Sequence, residues 1–266
     1  MRIKFYEPIN ERIKPYIEGY YVRQKDDIEP DHYLTFPNNY NILTLMKNSG
    51  FSKSDQEISI FKKSDQHSLS VTYDYVQPMR IRYLDPVEEI TIYFKPFGLN
   101  QFLPEISSIY NNSGICVFEN DHYLYKDLLK LMDEIEDQYF IPEIESYLVS
   151  KLVPQSDLLI EQLLDLLSQD LSISQIAEEV GFSRQYISRY FKNMIGKTPN
   201  SFRKIQRFRN AIQPIKTTSS LTDLGNQVGF FDQSHFIKDF KSITSITPKD
   251  FFKKVFLDEK NIWLHI

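Results

Sequence analysis

The sequence predicts an α+β protein: an amino-terminal β-barrel or sandwich with carboxy-terminal helices of its own, then an all-α domain with two helix-turn-helix motifs. Three observations predict this. Strand-like runs recur about every ten residues through the first hundred. A two-helix unit repeats at offsets of 48 and 49 residues. The chain's acidic excess is confined to its first half. The 266 residues suit two domains, which we expect at 1–153 and 154–266.

The strand-like runs are Tyr16–Arg23, Tyr40–Lys47, Glu57–Phe61, Ser70–Val76, Met79–Leu84 and Glu89–Phe94. Turn signals at Pro37-Asn38-Asn39, Asn48-Ser49-Gly50, Gln77-Pro78 and Asp85-Pro86 separate them. Pro96 is expected to open a short helix through Leu103, within a helical stretch of about 96–152 that follows a barrel of about 1–105. A longer helix from Asn120 or Asp121 carries Leu124, Leu128, Leu131 and Ile135 on one face. That stripe either packs on its own barrel or serves a homodimer. A last helix runs from Pro142 to Leu152, and Ser156 starts the next.

In the second half, Phe191-Lys192, Thr198-Pro199, Phe202 and Lys204 reappear as Phe240-Lys241, Thr247-Pro248, Phe251 and Lys253. Gly181-Phe182 reappears as Gly229-Phe230. Each copy reads as helix, tight turn, helix, at about 172–196 and 220–244. Ser172 and Gln175 form a capping box. Ile173, Ile176, Ala177 and Val180 follow as one apolar stripe. Gly181 sits where the chain must leave the helix with positive φ, and Ser183 caps the next. That second helix turns Ile187, Tyr190, Phe191 and Met194 inward. Such a helix can enter the major groove of DNA.

Charge agrees with this reading. Residues 1–154 carry 16 basic against 24 acidic groups, a balance of −8, whereas residues 172–257 carry 14 against 6, or +8. The chain as a whole is −5. Ser183, Arg184, Gln185, Ser188, Arg189 and Lys192 are the DNA-contact candidates of the first motif. Arginine donates two hydrogen bonds to guanine and glutamine pairs with adenine, while Lys192 suits a phosphate. Gln233, Ser234, His235, Lys238 and Lys241 are the candidates of the second motif. On the connecting helix, which starts at Thr198-Pro199, Arg203 and Arg207 suit phosphates. A solvated basic face is the plainer alternative for any one such helix.

At these residues the chain resembles the AraC/XylS family of bacterial transcription regulators. The likeness rests on Ile176-Ala177 through Gly181-Phe182-Ser183, Arg189-Tyr190-Phe191-Lys192, Gly196-Lys197-Thr198-Pro199, Val228-Gly229-Phe230, Gln233-Ser234-His235-Phe236, and Thr247-Pro248. It implies seven helices, two helix-turn-helix motifs and binding to adjacent major-groove segments of double-stranded DNA. Pro214 departs from the pattern by interrupting the connecting helix near Gln213. Ser245 departs by replacing the glycine expected by analogy with Gly196. Phe94-Lys95-Pro96-Phe97-Gly98-Leu99 resembles the strand-to-helix step that ends the sensor barrel of some members, which implies a cupin-like amino-terminal domain.

Tyr40, Arg80 and Arg82 are the effector-binding candidates, the two arginines sharing one strand face with Ile81 between them. Two solvated arginines are the plainer alternative. The clustered His and Glu of a metal-binding barrel are absent from the sequence, so the expected effector is a small organic molecule. Five scattered histidines without an HxH or HExxH pair, and the lone Cys116, predict no metal, no cofactor and no enzymatic activity. The alternatives are a DNA-repair methyl acceptor using Cys116, and a sequence-indifferent DNA binder. The start Met1–Glu7 has no signal-like apolar core and no run reaches the ~18 residues of a membrane span, so a cytoplasmic protein without membrane partners is expected. A homodimer, and RNA polymerase for an activator, complete the expected partners.

Overall fold

The structure, a computed structural model, describes residues 4–23, 32–110, 114–118, 122–134, 140–169, 171–212, 233–254, 256–257 and 264–265. Among the described residues of the first half, ten strands form two sheets. The larger holds β1 (Lys4–Tyr6), β2 (Ile17–Arg23), β4 (Asn41–Lys47), β7 (Ser68–Thr72), β9 (Glu88–Phe94) and β10 (Ile115–Val117), in the order β1-β2-β9-β4-β7-β10. The smaller holds β3 (His32–Thr35), β5 (Ser49–Lys53), β6 (Glu57–Lys62) and β8 (Met79–Tyr83), in the order β3-β8-β6-β5. The expected barrel or sandwich is therefore a pair of sheets rather than a closed cylinder among the described residues. All these pairs are antiparallel except β6 with β8.

Period-2 alternation splits the larger sheet between two cores. Leu43, Leu45, Ile90, Ile92 and Phe94 face the helices, while Ile42, Met46, Tyr21 and Tyr93 face the smaller sheet. The strands are thus buried on both faces, which explains their nearly unbroken apolar runs. Helices α1 (Ile106–Ile109), α2 (Tyr123–Glu134) and α3 (Phe140–Lys151) cover the outer face. Leu124 and Leu128 of α2 are buried in that core, so the leucine stripe packs on its own sheet. Ile135 lies outside the described residues.

One expected turn and one expected helix differ. Asn48 alone turns the chain, at φ +47°, from β4 in one sheet to β5 in the other. Ser49 and Gly50 are already strand, because a bare Gly50 leaves room for the ring of Phe61, 3.1 Å from where a Cβ would stand. After Pro96 there is no regular helix but a 3-10 turn at Leu99–Gln101. Phe97, at φ +63°, turns its ring into the core of the second half.

The second half continues with α4 (Leu158–Ser168), α5 (Ile173–Val180), α6 (Arg184–Ile195) and α7 (Pro199–Ile212). After residues 213–232 it resumes with α8 (Gln233–Thr244) and α9 (Pro248–Lys254). The cap of α4 is Asp157, one residue beyond the expected Ser156, and its carboxylate accepts from the Ile160 N–H at 3.1 Å. Ile160, Leu163, Leu167, Ile176, Ile187, Phe191 and Phe202 form the core of α4 to α7. Burial of such side chains contributes about 1.5–3 kcal/mol each. Among the described residues no helix is long and apolar enough to cross a membrane.

Candidate nucleic-acid interface

Local sequence sets the α5–α6 pair. The Ser172 hydroxyl accepts from the Gln175 N–H at 3.2 Å, and the Gln175 side chain accepts from the Ser172 N–H at 2.8 Å. Gly181 ends α5 in the left-handed conformation at φ +73°, with nothing within 4 Å of a would-be Cβ. Its role is therefore conformational rather than steric. Ser183 accepts from the Tyr186 N–H at 3.2 Å and starts α6.

Helix α6 has two faces. Ile187, Phe191 and Ile195 are buried, and Arg184, Gln185 and Arg189 are exposed. Ser188 and Lys192 are half-buried. Tyr190 and Met194, expected in the core, are only half-buried. Tyr190 instead donates its hydroxyl to the Asp157 carboxylate and stacks on Tyr186 at 5.7 Å, which stacks on Phe182 at 4.8 Å. This aromatic ladder borders the exposed arginines. It was legible as Phe182, Tyr186 and Tyr190 at i, i+4, i+8, a spacing the inward stripe masks.

Thr198 caps α7 through the Ser201 N–H at 3.2 Å, and Pro199 takes the first helical position. Arg203 and Arg207 are half-buried, and the Nε and Nη2 atoms of Arg203 are closed to solvent. In the second motif, Lys238 and Lys241 are exposed on α8. Gln233, Ser234 and His235 open that helix, but their side chains lie outside the description. So do Pro214 and the whole expected first helix of this motif, from 220 to 229.

Of the effector candidates, Arg80 and Arg82 point away from the sheet pair, alternating with buried Ile81. Arg80 borders an outer cleft of about 420 Å³ that reaches Thr244, Ser245 and Ile246. The interior cavity is elsewhere. It lies between the two sheets, about 80 Å³, and Tyr33, Met46, Met79, Tyr83, Glu89 and Tyr93 are among its walls. Tyr40 stands behind this wall, its ring edge-on to Tyr93 at 6.0 Å. Glu89 accepts from the Tyr83 hydroxyl at 2.5 Å and from Thr91 at 2.8 Å. Burial pushes its carboxyl above the usual range, against these bonds and Arg23, which lies over the Tyr83 ring at 3.9 Å. Sequence reasoning missed Glu89 and Arg23 because an acid in a strand reads as an outward residue. Cys116 is half-buried on β10, and burial raises its thiol pKa.

Comparison with known proteins bears on the second half. Residues 183–254 match the family model described as a helix-turn-helix domain. This segment is a helix-turn-helix domain of the AraC type. An uncharacterised HTH-type transcriptional regulator of Staphylococcus aureus is 33% identical over 84 residues, covering 31% of this chain and 11% of that protein. Another, from Pseudoalteromonas carrageenovora, is 34% identical over 87 residues, covering 33% and 51%. The chain thus spans about a tenth and a half of these relatives. Among solved structures, ToxT from Vibrio cholerae aligns over 88% of this chain and 98% of its own, at 15% identity and a TM-score of 0.45. Within the helix-turn-helix domain lie α6, α7, α8 and α9, and α5 precedes it.

Proposed function

We propose that the chain is a sequence-specific DNA-binding transcription regulator. The observation that carries this is the α5–α6 pair, whose left-handed Gly181 and Ser183 cap present Arg184, Gln185 and Arg189 to solvent from one helix. Those three side chains match base edges of the major groove. Lys192 and the basic groups of α7 supply the phosphate attraction that precedes base reading. The first motif carries the specificity, and the exposed Lys238 and Lys241 of α8 supply a second contact one turn of the duplex away.

The amino-terminal half serves as the responsive part, taking a small organic effector between its sheets. The cavity there is walled by aromatic, isoleucine and thioether side chains with several Ser and Thr hydroxyls and the carboxyl of Glu89, a composition that suits organic ligands. The mechanism is binding, without bond-making chemistry. A methyl-acceptor reaction needs a thiolate at neutral pH, and the raised Cys116 thiol runs the opposite way.

Titration of the full chain with a pool of random 40-base-pair duplexes at several salt concentrations tests the DNA-binding reading. Affinity should fall linearly in log–log form, by about 0.9 per phosphate contact. Absence of binding at low salt contradicts it.

A further inference from the structure

Three charged side chains set into the protein end on protein partners. Glu145 of α3 accepts from the Ile9 and Asn10 N–H groups at 2.8 and 2.7 Å. Lys197, 1% exposed after α6, donates to the Tyr73 carbonyl and has Asp74 as a counter-charge. Arg209 of α7 donates through Nε to the Pro37 carbonyl at 2.8 Å and through Nη2 to that of Phe36 at 2.5 Å. Glu89 of β9 is different, because it is equally buried yet stands in the wall of the cavity between the two sheets.

Strand register builds that cavity. Thr91 of β9, Thr44 of β4 and Ser70 of β7 stand opposite one another across three neighbouring strands, and the Thr44 and Thr91 hydroxyls are 3.1 Å apart. Glu89 lies two residues before Thr91 and so shares its face. This wall is polar. The smaller sheet answers it with Ile58, Ile60, Met79 and Ile81. The rings of Tyr33, Tyr83 and Tyr93 complete the walls, the first two with centroids 6.4 Å apart. Burial raises the hydroxyl pKa of all three, and the Glu89 charge raises each further, which places the carboxylate among them.

The chemistry of these walls suits a positive charge. Among the described residues, the cavity walls include no lysine, arginine or histidine. Aromatic rings attract cations to their faces, and Tyr83 already holds one, the Arg23 guanidinium at 3.9 Å. Burial keeps the Glu89 carboxyl above the usual range although Tyr83 and Thr91 donate to it and Arg23 is near. Those two hydroxyls take one carboxylate oxygen each, of about four acceptor sites a carboxylate offers. A cation inside the cavity supplies the compensation that burial withholds, whereas an anion meets a like charge. Size narrows the choice. The cavity of about 80 Å³ is roughly half of the ~150 Å³ that takes benzene, which leaves space for about four heavy atoms.

We propose that the cavity binds a small organic cation, a methylated ammonium ion of about four heavy atoms, with Glu89 as its counter-ion and the rings of Tyr33, Tyr83 and Tyr93 as its walls. The inference rests on the effector-site reading of this cavity given above, and adds the charge and the size of the ligand.

The test uses the full chain with its methionine methyl groups labelled with carbon-13. Met46 and Met79 line the cavity, while Met132 and Met194 pack in other cores and serve as internal controls. Trimethylammonium chloride, 2-propanol and sodium acetate are titrated separately at matched ionic strength, their organic parts similar in size and differing in charge. Saturable shifts of the Met46 and Met79 methyl signals with trimethylammonium alone, weakened at least tenfold in Glu89→Gln, support the proposal. Equal or tighter saturation by 2-propanol or acetate overturns it and leaves the effector-site reading standing. Unweakened binding by Glu89→Gln overturns it as well, because the carboxylate is then not the counter-ion. Should Glu89→Gln lose the parent's spectrum, the parent's own ranking of the three probes decides. No movement of either methyl signal with any probe overturns both the proposal and the effector-site reading.

Discussion

Gly196 and Ser245 occupy the same place at the ends of α6 and α8. Both are left-handed, at φ +84° and +63°. Each donates its N–H to the carbonyl four residues back, Lys192 and Lys241, at 2.8 Å in both cases. Among the described residues, the repeat seen in the sequence is thus a repeat of backbone geometry at the ends of the two corresponding helices. The second copy achieves it with a side chain the conformation disfavours.

That difference gives a first prediction. A non-glycine residue in the left-handed region costs about 1–2 kcal/mol. Ser245→Gly should therefore stabilise the domain by about 1 kcal/mol, read as a higher urea midpoint with an unchanged m-value. A lower midpoint would show that the serine side chain makes a compensating bond.

Asp157 has two partners, the Ile160 N–H and the Tyr190 hydroxyl. Asp157→Ala should cost about 1–2 kcal/mol, the upper range for a cap. Asp157→Asn should recover most of the cap. Equal losses for both variants would place the weight on the charged bond to Tyr190 instead.

Lys197 makes stability depend on pH. Its folded pKa of about 8 lies below the 10.5 of an exposed lysine, so between these values the unfolded chain binds more protons. Stability then rises with pH across that window, by up to about 1.4 kcal/mol per unit. The buried tyrosines, Tyr73's neighbour Tyr110 among them, have pKa values raised by burial and resist only above pH 10. The rise should appear between pH 8 and 10 in urea melts and vanish in Lys197→Met. A flat parent profile would contradict the buried-cation account.

Arg189 and Lys192 should separate base reading from phosphate attraction. Arg189→Ala should cost about 1–3 kcal/mol on a preferred duplex and little on a random one. Lys192→Ala should weaken both alike and flatten the salt slope by about one unit. Equal effects of the two substitutions in competition binding would erase the distinction.

What the sequence showed followed the reach of local rules. Ser172 with Gln175, Gly181, Ser183 and Thr198-Pro199 are decided by neighbours a turn away, and the first helix-turn-helix unit stands where those residues put it. The central strands were legible because β4 and β9 are buried on both faces and read as apolar runs. β3 and β5 were not, since His32–Thr35 and Ser49–Lys53 are short edge strands with little alternation. Lys197, Asp74 and Arg209 escaped for another reason. Their partners lie more than a hundred residues away in the chain, and a lysine beside Gly196 looks like any solvated turn residue. Arg80 and Arg82 showed their shared face correctly, but period-2 alternation does not say which face encloses a cavity.

The most direct test of sequence-specific recognition is selection of duplexes from a random pool by the full chain at physiological salt, followed by sequencing. Two motifs side by side predict an enriched sequence of two parts whose centres lie about ten base pairs apart. A pool that remains random after selection would contradict the account.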